Sequence, residues 1–407
     1  MKRTGGLILN AILDASRIRI IFQGGLEETF PRSYLWANAP QFRDKQTNQH
    51  TLSAVEFSRT PSVDSVRIIE SGSAIEIKWD GKASQRYSSS WLQRARFNGD
   101  FYGIAPLPMP QTLNAIPCFS HSDLVGGSSK PKVILESLLS LNQYGLVRVI
   151  GCPTEDKLAV ESLAAALGGA PMRTIYGDSW TVEVQEQPIN VAYTSGELAL
   201  HQDLAYYESP PGLQLLLCRE FDEGVLGGES TFADAFAMAE AFRMDHSSSF
   251  ETLSRIPTTF QKVHYARERP AHIMSSRPIF DLGWGGVLTS VFWAPPFEGL
   301  PRIPCRDVEP YYAAYAQFAA WVESVEQGRR PGLLQFRTKK GDAIVFNQRR
   351  ILHGRRGFSF SGGGKRVLQG CYVQADEWMS QLRAMLKEGE LHGEDVRLCR
   401  SGVQHVF

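Results

Sequence analysis

Short apolar runs recur through the last two thirds of the chain, and turn residues separate them. The clearest are residues 213–218 and 343–346, and a third begins at Arg366. Runs of this length are typical of buried strands, whereas residues 132–143, 233–244 and 307–327 predict helices. The last of these has an aromatic face, which predicts core packing. Strands interspersed with a few helices and long loops predict a mainly β protein with flanking helices, whose core is a double-stranded β-helix, or jelly roll.

The first hundred residues predict a separate, small β-rich domain. Short β-branched or alternating runs lie there between clusters of Gly, Ser and Pro, at residues 18–22, 66–70 and 74–79. Three prolines, Pro106, Pro108 and Pro110, follow and are typical of a linker. We therefore expect an N-terminal domain over residues 1–105 and a catalytic domain over residues 106–407.

The charge balance and the cysteines exclude several classes of function. Lys and Arg together number 43, as do Asp and Glu, so no overall field favours nucleic acid or an anionic membrane. Six scattered cysteines without a C-x-x-C pair predict reduced thiols in an intracellular protein. The N-terminal apolar run ends at Asp14, too early for a signal or membrane segment. We expect a cytoplasmic location, with an organelle as the alternative.

The tripeptide His201-Gln202-Asp203 predicts part of a metal site. In an extended segment alternate side chains share a face, so His201 and Asp203 point the same way. Two imidazoles and one carboxylate form the facial triad that binds Fe(II) and leaves coordination positions open, and His353 is the candidate for the second imidazole. His121-Ser122-Asp123 has the same spacing but lies among Pro, Ser and Gly, which predicts a loop.

Arg366 opens the strand that follows His353, and the two-residue period places Leu368, Gly370 and Tyr372 on the same inner face. A guanidinium inside a β core needs an anionic partner, because an unpaired buried charge is costly. The far carboxylate of 2-oxoglutarate fits a bidentate guanidinium. A structural pair with an internal Asp or Glu is the alternative.

Several motifs follow one another at characteristic spacings. They are His201-x-Asp203, Pro210-Pro211-Gly212, Gly227-Gly228-Glu229-Ser230, Leu352-His353-Gly354-Arg355-Arg356 and residues 366–372. Together they resemble the motifs of the gamma-butyrobetaine and trimethyllysine dioxygenases, within the taurine-dioxygenase-like iron and 2-oxoglutarate oxygenases. The resemblance covers residues 130–386 and more faintly the first hundred.

The resemblance implies roles for particular residues. His201, Asp203 and His353 are the implied iron ligands and catalytic residues, and Arg366 with Ser230 would bind 2-oxoglutarate. An aromatic cage for a trimethylammonium group is implied at Tyr176, Trp180, Tyr193 and Tyr372, with Asn190 near the other end of the substrate. The implied reaction oxidises a C–H bond of a small molecule, uses O2, and releases succinate and CO2. A homodimer is also implied.

Two departures from the family pattern affect these expectations. No cysteine precedes Cys118, so we expect no structural zinc in the N-terminal domain. Where relatives carry asparagine for a substrate carboxylate, this chain has Val291-Phe292-Trp293-Ala294-Pro295-Pro296. This apolar wall predicts a substrate that lacks the usual carboxylate, or one that is held differently.

Two further hypotheses stay open at this stage. The same oxygenase chemistry acts on a neutral specialised metabolite, such as a terpenoid or an amino-acid derivative, or the protein is a non-catalytic barrel that binds a ligand. A Rossmann enzyme or a hydrolase lacks support, because neither a G-x-G-x-x-G nor a G-x-S-x-G motif is present.

Overall fold

The computed structural model describes residues 6–95, 105–126, 130–184, 193–361 and 363–388, together with Cys399. Within these residues the chain forms two compact units, one that runs up to residue 95 and one that begins at residue 105. The boundary that the sequence predicts at residue 105 stays a prediction.

The N-terminal unit consists of two antiparallel three-stranded sheets and short helices. The sheets have the orders β1-β2-β3 and β4-β5-β6. A single apolar core includes Trp36 and Trp79, whose rings meet edge to face at 5.3 Å. The elements are β1 (Ile8–Asp14), β2 (Arg17–Phe22), β3 (Glu27–Pro31), α1 (Arg32–Ala37), α2 (Ala54–Ser58), β4 (Val63–Ile69), β5 (Ala74–Trp79), β6 (Gln85–Ser88) and α3 (Ser89–Arg94).

The first part of the second unit contains strands and helices in mixed order. Its elements up to residue 255 are β7 (Cys118–Ser120), α4 (His121–Leu124), α5 (Pro131–Tyr144), β8 (Leu146–Ile150), α6 (Ala159–Gly168), β9 (Ser179–Val182), β10 (Leu198–His201), β11 (Leu213–Phe221), β12 (Val225–Gly227), β13 (Ser230–Asp234), α7 (Ala235–Asp245) and α8 (Ser247–Arg255).

The remainder of the second unit is richer in strands. Its elements are β14 (Thr258–His264), β15 (Ala271–Arg277), β16 (Phe280–Leu282), β17 (Leu288–Val291), α9 (Cys305–Glu326), β18 (Leu333–Phe336), β19 (Ala343–Asn347), β20 (Ile351–Arg355), β21 (Phe358–Phe360), β22 (Arg366–Val373) and α10 (Ala375–Glu388). Among the described helices, none combines the length and the apolar character needed to cross a lipid bilayer.

Two larger sheets organise this unit. One has six strands in the order β7-β8-β19-β11-β22-β9, and the other has four in the order β10-β20-β13-β18. Neighbouring strands are antiparallel, except that β7 and β8 are parallel. The prediction of a mainly β protein with flanking helices is confirmed in this form.

Side-chain alternation in the central strand β11 separates a core from a cavity. Leu213, Leu215 and Leu217 point into an apolar core that also contains residues of α5, α6 and α10. Gln214 and Leu216 point the other way and line a cavity. Because successive side chains of a strand alternate between faces, one strand supplies both the packing and the cavity wall.

The four-stranded sheet has its own helical layer. Helices α7, α8 and α9 share a second core with Leu352 of β20 and Ala233 of β13, and Phe242 and Phe318 meet there edge to face at 5.1 Å. Tyr311 of α9 is buried in this core, as predicted for the aromatic face of that helix.

Two local predictions are wrong. Residues 121–124 form the short helix α4, because Leu124 packs into the first core, and Asp123 pairs with Lys130 at 2.6 Å. Residues 233 and 234 belong to β13, although a helix is predicted from residue 233. The helix begins at Ala235 because the Asp234 carboxylate accepts hydrogen bonds from the backbone N–H groups of Phe236 and Ala237.

Candidate active site

The pairing of β10 with β20 brings two imidazoles together. Leu198 pairs with Arg355, and regular pairing would then set residue 200 opposite His353. One extra residue in β10 shifts the register, so His201 lies opposite His353. The two rings are 4.5 Å apart between centroids.

Gly354 makes this close pairing possible. A Cβ atom there would lie 2.5 Å from the carbonyl oxygen of Leu198 and 2.8 Å from the Thr231 hydroxyl, so no side chain fits. Gly354 lies within β20, directly after His353.

Asp203 reaches the imidazoles from a turn. The prediction of an extended segment through Asp203 is wrong, because β10 ends at His201 and Leu204 has a positive φ of 54°. The Gln348 side chain fixes the backbone here: its Oε1 accepts from the Asp203 N–H at 2.5 Å, and its amide donates to the Asp203 carbonyl at 2.9 Å. Ligand atoms of His201, Asp203 and His353 all lie within 4.8 Å of one another.

The hydrogen bonds around the triad leave metal-binding nitrogens directed inward. His201 Nδ1 bonds the Ala199 carbonyl at 2.8 Å, which leaves Nε2 facing Asp203. The distance from His201 Nε2 to Asp203 Oδ1 is 3.5 Å, and that from His353 Nε2 to Asp203 Oδ2 is 3.6 Å. Two nitrogens and a carboxylate converging in this way fit a divalent metal such as Fe(II).

Protonation states agree with a metal centre. Burial lowers the pKa of His353 to about 3, so its imidazole is neutral. Burial raises the pKa of Asp203, but the hydrogen bond from His201 and the charges of both imidazoles outweigh it, and the pKa lies below its ordinary value. Burial lowers the pKa of His201 as well, but its hydrogen bond to Asp203 and the charge of that carboxylate raise the pKa by more, so the net shift is upward.

Two more side chains hold the Asp203 carboxylate. Gln214 Nε2 donates to Asp203 Oδ2 at 2.9 Å, and the Tyr372 hydroxyl donates to the same oxygen at 2.8 Å. Sequence analysis missed Gln214. The available signal was an amide at a cavity-facing position of the otherwise apolar run of β11.

Arg366 lies at the start of β22, where its guanidinium is buried between aromatic rings. The centroids of Phe221 and Phe358 are 5.2 and 5.5 Å from it, and its Nε donates to the Gly228 carbonyl at 3.2 Å. Burial and the nearby Arg355 lower its pKa to about 10, so it stays charged. In the part of the chain that the structure describes, no carboxylate forms an ion pair with it. The alternative to 2-oxoglutarate binding, a structural pair with an internal Asp or Glu, is therefore not seen there.

A cavity of about 660 Å³ joins these groups. Its walls include the triad, Arg366 and Ser230, and four predicted aromatic residues: Tyr176, Trp180, Tyr193 and Tyr372. Gly370 leaves room for one of them, because a Cβ atom there would lie 2.3 Å from the Trp180 ring. Trp180 and Tyr372 are 5.4 Å apart between ring centroids. Asn190 lies outside the described residues.

Other wall residues were not foreseen. Tyr206, Phe297, Glu298 and Lys262 also line the cavity. Of the predicted apolar wall at residues 291–296, Pro296 lines the cavity beside Phe297, whereas Val291 and Trp293 belong to the second core.

Comparison with known proteins identifies the family. A gamma-butyrobetaine dioxygenase of Pseudomonas sp. (strain AK-1) is 26% identical over 376 residues, 90% of this chain and 93% of that protein. Dioxygenase str8 of Strobilurus tenacellus is 33% identical over 50% of this chain and 47% of that protein. The mitochondrial trimethyllysine dioxygenase of Gallus gallus is 24% identical over 84% and 79%.

Solved structures give a weaker likeness. The non-heme iron oxygenase OrfP, in complex with Fe and alpha-ketoglutaric acid, superimposes with a TM-score of 0.47 at 15% identity, over 64% of this chain and 95% of that one. The family model of the taurine catabolism dioxygenase TauD, TfdA family matches residues 123–372, more than half of the chain. The chain therefore belongs to the TauD, TfdA family and is a dioxygenase that uses iron and 2-oxoglutarate.

Proposed function

We propose that the enzyme oxidises a C–H bond of a small molecule that carries a quaternary ammonium group, and that succinate and CO2 are released. The observation that carries this proposal is the set of aromatic side chains that shares one cavity with the His201, Asp203 and His353 triad. Relatives named gamma-butyrobetaine dioxygenase and trimethyllysine dioxygenase support it, since both names denote quaternary ammonium compounds.

The triad would hold Fe(II). Two neutral imidazoles and one carboxylate fill three positions of the ion and leave three for ligands. When bound, iron supplies the activation of O2, with 2-oxoglutarate as the source of electrons. Gln214 and Tyr372 keep the Asp203 carboxylate in one orientation.

Arg366 and Ser230 would bind the far carboxylate of 2-oxoglutarate. A buried guanidinium without a carboxylate partner among the described residues favours an anionic ligand, because ligand binding would compensate its charge. The Ser230 hydroxyl faces the same cavity and lies 3.4 Å from the Thr338 hydroxyl, so it is placed to donate to a second anionic oxygen.

The aromatic residues would enclose the cationic head. Tyr176, Trp180, Tyr193 and Tyr372 present ring faces, and a trimethylammonium group donates no hydrogen bonds, so it is recognised through those faces. Each contact contributes about 0.5–2 kcal/mol. Asn190 is proposed to lie near the other end of the substrate.

Substrate-stimulated turnover tests this proposal. We expect quaternary ammonium compounds to stimulate Fe(II)-dependent succinate release and O2 uptake, and His201→Ala to abolish both. Stimulation by neutral compounds alone would refute the quaternary ammonium assignment and leave the oxygenase chemistry intact.

A neutral substrate is the second candidate. Val182, Leu198 and Leu368 line the same cavity, so a large part of its wall is aliphatic and suits an apolar skeleton. A screen that includes terpenoids and amino-acid derivatives separates the two candidates.

Three structural proposals accompany this function. We infer that the six-stranded and four-stranded sheets form a double-stranded β-helix, since side chains from both line the cavity. We also propose a homodimer, which the family resemblance implies and light scattering can measure. A cytoplasmic location is proposed from the reduced thiols, with an organelle as the alternative, and cell fractionation tests it.

A further inference from the structure

An ammonium group on the cavity wall has no role in the function proposed above. Lys262 lies on β14, which pairs with β15 as a hairpin. Its side chain is half-buried and lines the same cavity as the metal triad. The Lys262 Nζ atom lies 6.0 Å from the centroid of the Phe297 ring, and that ring meets Tyr206 edge to face at 5.1 Å.

The charges around Lys262 do not balance it. Arg267, on the same hairpin, adds a second positive charge, and burial together with that charge lowers the pKa of the Lys262 ammonium. Over the described residues, no carboxylate oxygen lies within ion-pair distance of Lys262. A half-buried cation beside another cation, without a counter-ion, is electrostatically unfavourable.

Glu298 shares the cavity but does not neutralise Lys262. Its carboxyl Oε1 accepts a hydrogen bond from the Tyr315 hydroxyl at 2.7 Å, which turns it toward α9. Burial raises the pKa of Glu298 to about 7, so it carries only part of a negative charge near neutral pH. The Glu298 carboxyl is thus committed to a tyrosine.

We propose that Lys262 binds a carboxylate of the substrate and selects acids over their uncharged analogues. The proposal rests on the proposed function only in that the substrate occupies this cavity. The substrate carboxylate would be the counter-ion that the described residues do not provide for Lys262, and it would accept a charge-assisted hydrogen bond from the ammonium group. Losing one such bond reduces affinity by about 10- to 100-fold.

Four compounds separate this proposal from the quaternary ammonium assignment. They are 4-trimethylammoniobutanoate, its carboxamide, 5,5-dimethylhexanoate and its carboxamide. The first and third differ only in the cationic nitrogen, so their comparison tests the aromatic cage. Each acid differs from its amide only at the other end, so that comparison tests Lys262. Binding is measured by calorimetry on the anaerobic iron and 2-oxoglutarate complex, with O2 uptake as a second measurement.

We expect the acid of at least one pair to bind about 10- to 100-fold more tightly than its amide. Lys262→Met should remove this preference, Lys262→Arg should keep it, and Lys262→Glu should reverse it. Lys132→Met, which removes an exposed lysine of α5, is the matched control and should leave it unchanged. An acid preference that survives in Lys262→Met, or no acid preference in either pair of the wild type, overturns the proposal. Equal binding of the two skeletons would refute the cage alone.

Discussion

The two oxygens of the Asp203 carboxylate have different surroundings. Oδ2 accepts hydrogen bonds from Gln214 and Tyr372, at 2.9 and 2.8 Å, while Oδ1 faces His201. Hydrogen bonds of this kind fix the orientation of a metal-binding carboxylate and tune the affinity of the site. The orientation of this one acid thus depends on an amide and a phenol from the six-stranded sheet.

Replacing Gln214 should weaken metal binding without disrupting the core. We expect Gln214→Leu to reduce Fe(II) affinity by about 10- to 100-fold, because Oδ2 loses one of its two donors and the carboxylate can rotate. Anaerobic Fe(II) titration measures this effect. Tyr372→Phe removes the other donor while it keeps the ring and should act in the same direction. Gln335→Leu, at an exposed position of β18, is the control, and equal affinity in all variants would contradict the prediction.

The buried carboxyl of Glu298 should make stability depend on pH. Its pKa in the folded protein, about 7, lies above the ordinary value of 4.5, so the folded state binds the proton more tightly than the unfolded state does. Stability therefore decreases as the pH rises from about 4.5 to 7, and the loss is complete above pH 7. We expect Glu298→Gln to raise the melting temperature at pH 8 more than at pH 5. Glu251→Gln, at an exposed position of α8, should have no such pH-dependent effect; a similar shift there would argue against Glu298 as the cause.

Residue types indicated the triad in the sequence, but local sequence did not indicate which residues hold its carboxylate in place. His201, Asp203 and His353 stand out because two imidazoles and an acid have few reasons to flank apolar strands. Gln214 is an amide within a run of leucines, and its purpose depends on Asp203, which the fold alone brings near. Lys262 was missed because nothing in its local sequence indicates that it faces a cavity.

At the scale of elements, one buried ion pair joins several segments. The fully buried Arg350 pairs with Asp234 at 2.6 Å and donates to the carbonyl oxygens of Gln143 and Leu107. Asp234 also caps the N-terminus of α7. The start of β20, the end of β13 and the end of α5 therefore share one set of hydrogen bonds.

Removing one partner of this pair should be strongly destabilising. We expect Arg350→Met to lower the free energy of unfolding by about 3–5 kcal/mol, because Asp234 would keep a buried, uncompensated charge. Chemical denaturation followed by circular dichroism measures the loss. The double variant Arg350→Met with Asp234→Asn should be less destabilised than the sum of the single variants. Additive losses would show that the two groups do not act as a pair.

Local pattern predicted the long apolar strands of the catalytic unit, but several boundaries depend on side-chain contacts. The run at residues 343–346 and the helix at residues 132–143 lie within β19 and α5. The β14–β15 hairpin was not predicted, because residues such as Gln261, Lys262 and His264 give it no strong apolar alternation. Its stability comes from pairing across the hairpin, which no single segment reveals.

For the whole molecule, metal binding should increase stability. The triad joins β10 and β20, which are distant in sequence and adjacent only after folding, so the ion binds the folded state preferentially. We expect Fe(II) or Mn(II) at about 100 times its Kd to stabilise the protein by about 2.7 kcal/mol. Anaerobic thermal unfolding with and without a chelator tests this.

The control for metal-linked stability uses another histidine. His353→Ala should abolish the metal-dependent increase in melting temperature, whereas His272→Ala, at an exposed position of β15, should preserve it. An increase that persists in His353→Ala would mean that the ion binds elsewhere. The order of strands in the two sheets, on which this coupling depends, could not be predicted, because it arises from pairing between remote segments.

The additional residue in β10 carries an evolutionary implication. If the same residues paired without the register shift, His201 would lie opposite Leu352, whose side chain packs in the second core, and the first imidazole would turn away from its partner. A regular ladder of these residues would gain strand pairing and lose the metal site, so selection for oxygen chemistry must maintain the irregularity. Descendants of this protein in which the register had slipped by one residue would be well-folded binding proteins without a metal.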